Sequence, residues 1–241
     1  MSEAPVSALV AWWGTAWLRG HASADDLLDA FAATGFRHVV AAPGDPSSDL
    51  LLALADLRRA GATGVGAAFP VPGDLVGLGG PAAFNAAALD GGEAVVAAEA
   101  GVGWTPVQVG AAVEWTVHPA QRRQLPDVGE ADRALRTTLL SAAQRLADLD
   151  VARWQPDVAD ALMNLRHPVA PDVPPGVPPR CVDLATRALQ AIGIAGLAVA
   201  TDGGAVTAAE IDARRAALVP LDRAGRHALT AACSPEVWPP S

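Results

Sequence analysis

The residues best suited to proton transfer lie on one short run of the chain, Ala112 to His118. Its alternation of apolar and polar residues is typical of a β-strand, so Glu114, Thr116 and His118 face one side. A carboxylate and an imidazole both exchange protons, which makes Glu114 and His118 candidate catalytic residues, a general acid and a general base. Successive residues on one face of a strand are ~7 Å apart, so these two could act on one substrate without touching each other.

Two arginines, Arg122 and Arg123, follow this run directly. A planar guanidinium group binds a carboxylate or phosphate through two parallel hydrogen bonds. The sequence therefore predicts that these arginines hold an anionic ligand beside the acid–base pair. The alternative is that the polar residues form the solvated face of a half-buried antiparallel sheet, which needs polar residues there in any case.

A glycine-rich loop, residues 73–80, is the second candidate site. It precedes a predicted helix that begins at Pro81, and the unpaired N–H groups of a helix N-terminus favour an anion. The loop lacks the Lys-Ser/Thr pair of a P-loop and the glycine spacing of a dinucleotide site, and its acidic residue would repel phosphate. The alternative is a wide turn whose glycines supply positive φ angles and close packing. The ligand-binding residues predicted here are Asp74, Gly77, Gly79, Gly80 and Asn85.

Other kinds of catalytic chemistry have no clear pattern in this sequence. Cys181 and Cys233 are far apart without a CxxC motif, and no pair of histidines has the spacing of metal ligands. A GxSxG nucleophile elbow is also missing. We therefore expect no metal and no cofactor, and we expect both cysteines to be small buried thiols.

The composition indicates a soluble cytoplasmic protein. Of the 241 residues 51% are hydrophobic, but no apolar run reaches the ~18 residues that suggest a membrane span. The N-terminus has Glu3 and no basic residue before its apolar stretch, unlike a secretory signal. All 17 basic residues are arginine, which is typical of a GC-rich genome, and the net charge of −9 disfavours nucleic acid and anionic membranes as partners.

The elements that must position the candidate residues predict an α+β fold. Helical periodicity marks three helices before residue 60, with a short buried strand between the second and the third. The runs EAVVAA, VGWTPVQV and AVEWTVHP are joined by turns so short that the strands must be antiparallel neighbours. We predict a central, mainly antiparallel sheet (about residues 37–118), flanked by N-terminal helices and a mostly helical C-terminal half.

The order of these elements predicts an α+β lobe over residues 1–126 and a mostly helical lobe over 127–241, together forming one compact unit. A proline-dense segment, residues 168–179, is expected to be an extended connector. The later run IAGLAVAT, residues 194–201, is interpreted as a strand. Pro220 is expected to kink or divide the last helix, because proline lacks the N–H that a helix interior needs.

Three tryptophans lie on the first predicted helix. Trp13 and Trp17 share a helical stripe with Val6 and Val10, which predicts that they pack in the core. Trp12 falls near the edge of that stripe. It is the better candidate for contact with a partner, since aromatic side chains dominate binding surfaces.

Several stretches resemble those of uncharacterised proteins from GC-rich Gram-positive bacteria: AWWGTAWLRG, PVPGDLVGLGGPAAFNAAALDGGEAV, VGEADRALR and DALMNLRHP. The resemblance spans most of the chain and implies a bacterial cytoplasmic setting. It implies no activity and transfers no catalytic residue.

Three functions fit these observations. The lack of a recognisable nucleophile, metal or cofactor motif favours a non-catalytic protein that binds a protein partner or a small ligand. The second is an enzyme that acts on a small anionic metabolite by acid–base chemistry, which requires the strand face and the glycine loop to line one pocket. The third is a self-associating subunit whose contact surface is the first helix and the helix from Leu135 to Leu149. The sequence does not determine the oligomeric state.

Overall fold

The protein is an α+β structure in a computed structural model that describes residues 4–42, 47–148, 170–200 and 208–239. Among these residues, every helix is too short or too polar to cross a membrane. The helices are α1 (Val6–Leu18), α2 (Ala24–Ala32), α3 (Leu50–Arg59), α4 (Ala82–Gly91), α5 (Val128–Asp148), α6 (Pro179–Ala200) and α7 (Ala208–Ala232). The strands are β1 (Arg37–Ala41), β2 (Ser48–Asp49), β3 (Gly66–Ala68), β4 (Ala94–Ala97), β5 (Val102–Val109) and β6 (Ala112–Pro119).

The described strands form one sheet in the order β2-β1-β6-β5-β4-β3. Neighbouring strands are antiparallel except β1 and β6, which are parallel. The predicted meander of three strands is confirmed as β4, β5 and β6, and the predicted location of the sheet between residues 37 and 118 is confirmed as well. The parallel pairing was not predicted, because β1 and β6 are far apart in sequence and no short turn joins them.

Helices cover both faces of the sheet. On one face, Val113 and Trp115 of β6 belong to a core that also contains Val10 of α1 and Leu54 of α3. On the other face, Phe84 of α4 packs in a smaller cluster with residues of β3 and β4. The predicted alternation of β6 is therefore correct, and the side of Glu114 and His118 is the side of α4.

Helix α1 lies between two cores. Trp13 and Trp17 pack against the cluster on the sheet, as predicted, whereas Trp12 is completely buried in a second cluster with α5, α6 and α7. The indole N–H of Trp12 donates to the carbonyl oxygen of Ala232 at 3.3 Å. The prediction that Trp12 contacts a partner is wrong, because a helix that is apolar on two sides has no free edge there.

The C-terminal half packs on the second core. Leu135 of α5 is fully buried there, and Leu139 is packed against it, so the face expected to mediate self-association is used within the chain; Leu149 lies outside the described residues. Residues 170–178 form neither helix nor strand, and Val177 anchors this part of the predicted connector to the core. Residues 168–169 are also outside the described ranges.

The structure bears on two predictions about the last helices, and the first of them is wrong. Residues 194–200 are helical rather than extended, because the buried alanines Ala188, Ala191 and Ala195 continue one helical stripe through α6. Residue 201 lies outside the described ranges. Helix α7 continues through Pro220 without dividing.

Candidate functional site

His118 is held between the sheet and α4. Its Nε2 lies 2.9 Å from the hydroxyl oxygen of Thr105 on β5, and its ring packs on Phe84 with 5.5 Å between the ring centroids. Burial lowers the pKa of His118. The imidazole is therefore favoured in its neutral form, which suits a proton acceptor as well as a packed residue.

Glu114 lies farther along the same face of β6, opposite Val107 of β5. Val107 is 53% exposed, so this part of the sheet borders solvent. Within the described residues, no hydrogen bond or ion pair joins Glu114 to another side chain. The structure keeps Glu114 and His118 on one face but does not bring them into contact, and their catalytic role stays a prediction.

Arg122 and Arg123, which the sequence predicts to bind an anionic ligand, have different surroundings. The side chain of Arg123 is 1% exposed, and all five of its N–H groups donate to protein atoms. Nε and Nη2 donate to the carboxylate of Glu236, each at 3.0 Å. The remaining donors reach the carbonyl oxygens of Ala67 and Gly77 and the hydroxyl of Ser234. Arg123 therefore has no donor left for a ligand and instead ties the C-terminal segment to β3.

Arg122 is exposed and has no partner among the described residues. Its carbonyl oxygen packs against Gly79, where an added Cβ would lie only 2.3 Å from that oxygen. The next glycine is fixed as well, since the N–H of Gly80 donates to Oδ1 of Asn85 at 3.0 Å. At this end of the loop, Gly79, Gly80 and Asn85 hold the chain against the end of β6, as the packing alternative expects.

The other end of the glycine loop rests on α7. Gly77 has a φ of +83°, and an added Cβ would lie 2.7 Å from the methyl group of Thr230. Three residues earlier, Oδ2 of Asp74 accepts hydrogen bonds from Nε of Arg223 at 2.8 Å and from Nε2 of His227 at 2.7 Å. Asp74 is thus turned toward α7 and is already paired with a cation.

We call Asp74, Arg223 and His227 the loop–α7 cluster. Burial raises the pKa of Asp74, but hydrogen bonding to His227 and its charge, with smaller contributions from the N–H of Val76 and from Arg223, hold it below its usual value. Nη2 of Arg223 also donates to the carbonyl oxygen of Gly73 at 3.0 Å. The carboxylate is consequently ionised near neutral pH and fixes the orientation of both basic side chains.

The basic members of the cluster remain open to solvent. The side chain of Asp74 is 11% exposed, while those of His227 and Arg223 are 33% and 56% exposed. Neither Nδ1 of His227 nor Nη1 of Arg223 has a hydrogen-bond partner in the part of the chain that the structure describes. Thr230, on the same stripe of α7, has a fully buried hydroxyl that is also unpartnered there. The cluster therefore combines a fixed geometry with unused polar groups.

Sequence reasoning assigned Asp74 to a ligand site but missed Arg223 and His227. Their i,i+4 spacing places them on one helical face, which is the only local signal. The partner that makes them a cluster is about 150 positions earlier in the chain, so no motif could reveal it.

The cysteines are not available for chemistry at the surface. Cys181 and Cys233 are both free and buried. Burial raises the pKa of Cys181 to about 11 and that of Cys233 well above its ordinary value. Both are therefore protonated and unreactive near neutral pH. In the described ranges, no three His, Cys, Asp or Glu side chains are grouped so that they could hold a metal ion.

Comparison with known proteins identifies the family. A model of the Rv1486c-like protein N-terminal domain matches residues 7–129, and a model of the corresponding C-terminal domain matches residues 129–230. This chain belongs to the Rv1486c-like family. Its similarity to uncharacterised proteins of GC-rich bacteria is thereby confirmed.

Two relatives of the Rv1486c-like family come from Mycobacterium tuberculosis. Uncharacterized protein Rv1486c, from strain ATCC 25618 / H37Rv, is 30% identical over 281 residues, covering 94% of this chain and 96% of the relative. Uncharacterized protein MT1533, from strain CDC 1551 / Oshkosh, has the same identity and coverage. No solved structure matches the chain. The names of these relatives assign no reaction.

Proposed function

We propose that this protein binds a small anionic ligand at the loop–α7 cluster, with Arg223 and His227 as the contact residues. The observation that supports this is the shared carboxylate oxygen of Asp74, which accepts from both basic side chains. One charge orients two basic side chains, and in the described part of the chain each keeps a nitrogen atom without a partner: Nη1 of Arg223 and Nδ1 of His227. A fixed pair of donors loses less conformational entropy on binding than two mobile side chains.

The charges of the cluster favour an anion when His227 is protonated. Asp74 contributes one negative charge, and Arg223 with a protonated His227 contributes two positive ones. The free edge of the guanidinium can form paired hydrogen bonds with a carboxylate or phosphate, and a protonated Nδ1 can add a third. The expected repulsion between Asp74 and a phosphate is weakened because its carboxylate is already paired.

The remaining residues of the sequence-based site support binding indirectly. Gly77 allows the loop to approach α7, and Arg123 donates to the carbonyl oxygen of Gly77 at 3.4 Å. Gly79, Gly80 and Asn85 anchor the opposite end of the loop. We place the protein in the bacterial cytoplasm, a proposal supported by its acidic composition and its bacterial family.

Isothermal titration calorimetry with inorganic phosphate and with succinate tests the proposal. Loss of one charge-assisted hydrogen bond should weaken binding by about tenfold or more, so Arg223→Gln and His227→Gln should both raise the Kd to that extent. Arg133→Gln is the matched control, because Arg133 is an exposed arginine on α5 that has no hydrogen bond or ion pair with the cluster. It should bind like the wild type.

Arg122→Gln separates this site from the one that the sequence predicts. It should leave the affinity unchanged if the ligand lies on α7. Binding that is lost in Arg122→Gln and kept in Arg223→Gln would contradict the proposal, as would a wild-type protein that binds neither anion at millimolar concentration.

A further inference from the structure

We infer that the loop–α7 cluster also catalyses hydrolysis, with His227 as a general base that activates water toward small esters carrying a carboxylate. This inference rests on the proposed function, since Arg223 must hold the carboxylate of the substrate. It assigns an activity to the site rather than binding alone.

The orientation of His227 supports the role of a base. Asp74 is ionised, so its oxygen accepts the hydrogen bond and Nε2 of His227 carries the proton. In the neutral imidazole, Nδ1 is then the acceptor. A carboxylate that holds an imidazole in one tautomer and stabilises its protonated form is the arrangement that general-base histidines use. Asp74 acts here as a positioning residue.

The exposure of the Asp74 and His227 side chains agrees with this role. Asp74 is mostly shielded, with 11% of its side chain exposed, whereas 33% of the His227 side chain is exposed. By comparison, His38 has both ring nitrogens engaged: Nδ1 accepts from the indole of Trp115, and Nε2 lies 3.3 Å from the hydroxyl oxygen of Thr34. Within the described residues, Nδ1 of His227 has no such partner.

Two polar groups next to the cluster have no partner among the described residues. The N–H group of Gly77, which packs against Thr230 of α7, forms no hydrogen bond with the described part of the chain. The hydroxyl of Thr230, one turn of α7 beyond His227, is buried and likewise unpartnered there. Buried polar groups without partners are uncommon in proteins and call for a functional or solvent partner.

The reaction balances with water as the only co-reactant. Nδ1 of His227 takes a proton from water while the water oxygen forms a bond to the ester carbonyl carbon. The tetrahedral intermediate then breaks its bond to the alcohol oxygen, which recovers the proton from His227. The products are a carboxylic acid and an alcohol, and the imidazole returns to its neutral form.

Hydrolysis of mono-4-nitrophenyl succinate, followed by the absorbance of 4-nitrophenolate, tests the inference. General-base catalysis contributes ~10²-fold or more, so His227→Gln should lower kcat by about that factor. Arg223→Gln should mainly raise KM for this anionic ester, because Arg223 is the residue proposed to hold the carboxylate of the substrate. Asp74→Asn should lower kcat more than it raises KM, a split that a purely structural role would not produce.

His21→Gln controls for adventitious hydrolysis by a surface imidazole, because His21 is exposed and has no hydrogen bond or ion pair with the cluster. It should keep the wild-type rate. A wild-type rate equal to that of buffer, or a rate that survives in His227→Gln and falls in His21→Gln or His118→Gln, would overturn the inference. Succinate binding without ester hydrolysis overturns the catalytic inference and leaves the binding proposal intact, whereas absence of succinate and phosphate binding overturns both.

Discussion

Arg123 and Arg223 both reach a carboxylate from a distant part of the chain, but they differ in what remains unused. Arg123 is buried, and each of its five donors has a protein acceptor. Arg223 is half-exposed, and among the residues that the structure describes it donates only to Asp74 and Gly73. A saturated buried arginine stabilises the fold, whereas an oriented arginine with free donors can bind a ligand. The sequence predicted Arg123 as a ligand-binding residue because it follows Glu114 and His118 closely, whereas the geometry favours Arg223 for that role.

Replacing Glu236, the carboxylate partner of the buried Arg123, should have the largest effect on stability. Glu236→Ala leaves the guanidinium of Arg123 buried without its counter-charge, and breaking a buried pair in this way costs about 3 kcal/mol or more. Urea unfolding at neutral pH measures the loss. Glu130→Ala, at an exposed position on α5, should change the unfolding free energy by less than about 1 kcal/mol.

The double variant Arg123→Met/Glu236→Leu sharpens the same prediction. It removes both charges, so it should recover part of the stability lost in Glu236→Ala. A Glu236→Ala protein as stable as the wild type would show that the pair does not hold the C-terminal segment.

Among the histidines, His38 resembles Arg123 because it is buried and both of its ring nitrogens have partners. Burial lowers its pKa from 6.5 to about 4, so the folded state resists its protonation. Above pH 6.5 His38 is neutral in both the folded and the unfolded state, so its lowered pKa does not affect stability there. As the pH drops from 6.5 to 4, the unfolded state binds the proton and the folded state does not, so the free energy of unfolding should fall by about 3 kcal/mol in total. His38→Gln should flatten this part of the pH profile. Equal pH dependence in wild type and variant would show that another group is responsible.

Alanine substitutions in the glycine loop should destabilise the protein by different amounts at different positions. Gly77→Ala imposes a positive φ on alanine and also crowds Thr230, so it should destabilise the protein by about 2 kcal/mol or more. Gly73→Ala has a similar φ but nothing within 4 Å of its added Cβ, so only the backbone cost of about 1 kcal/mol should appear. Thermal unfolding of both variants compares them, and equal losses would mean that contact with α7 does not constrain the loop.

The ion pairs of the open cluster should have the smallest effect on stability. Asp74→Asn removes a carboxylate whose pKa is held below its usual value, and partly exposed pairs contribute about 1 kcal/mol or less. The contribution is present above the usual carboxyl pKa and disappears as the pH falls through the lowered value, because Asp74 is then protonated. The free energies of unfolding of the wild type and of Asp74→Asn should differ at pH 7 and become equal in strong acid. A difference that persists in acid would contradict this prediction.

Local patterns predicted the elements of this protein better than its site. The bounds of β5 and β6 follow from two-residue alternation and short turns, both of which are local properties. Trp12 was misplaced because one helical stripe cannot reveal that α1 packs on two cores. Arg223 and His227 were missed because their link to Asp74 depends on the way α7 folds back over the glycine loop, and no local spacing encodes that contact.

The most direct test of the loop–α7 cluster is an NMR titration of the histidine side chains with inorganic phosphate at constant ionic strength. The ring nitrogen signals of His227 should shift in a saturable manner, while those of His21 and His118 should respond no more than they do to chloride. Arg223→Gln should weaken the response of His227 without abolishing its signal. An unchanged His227 ring at saturating phosphate, or a saturable shift at His118 instead, would contradict the account.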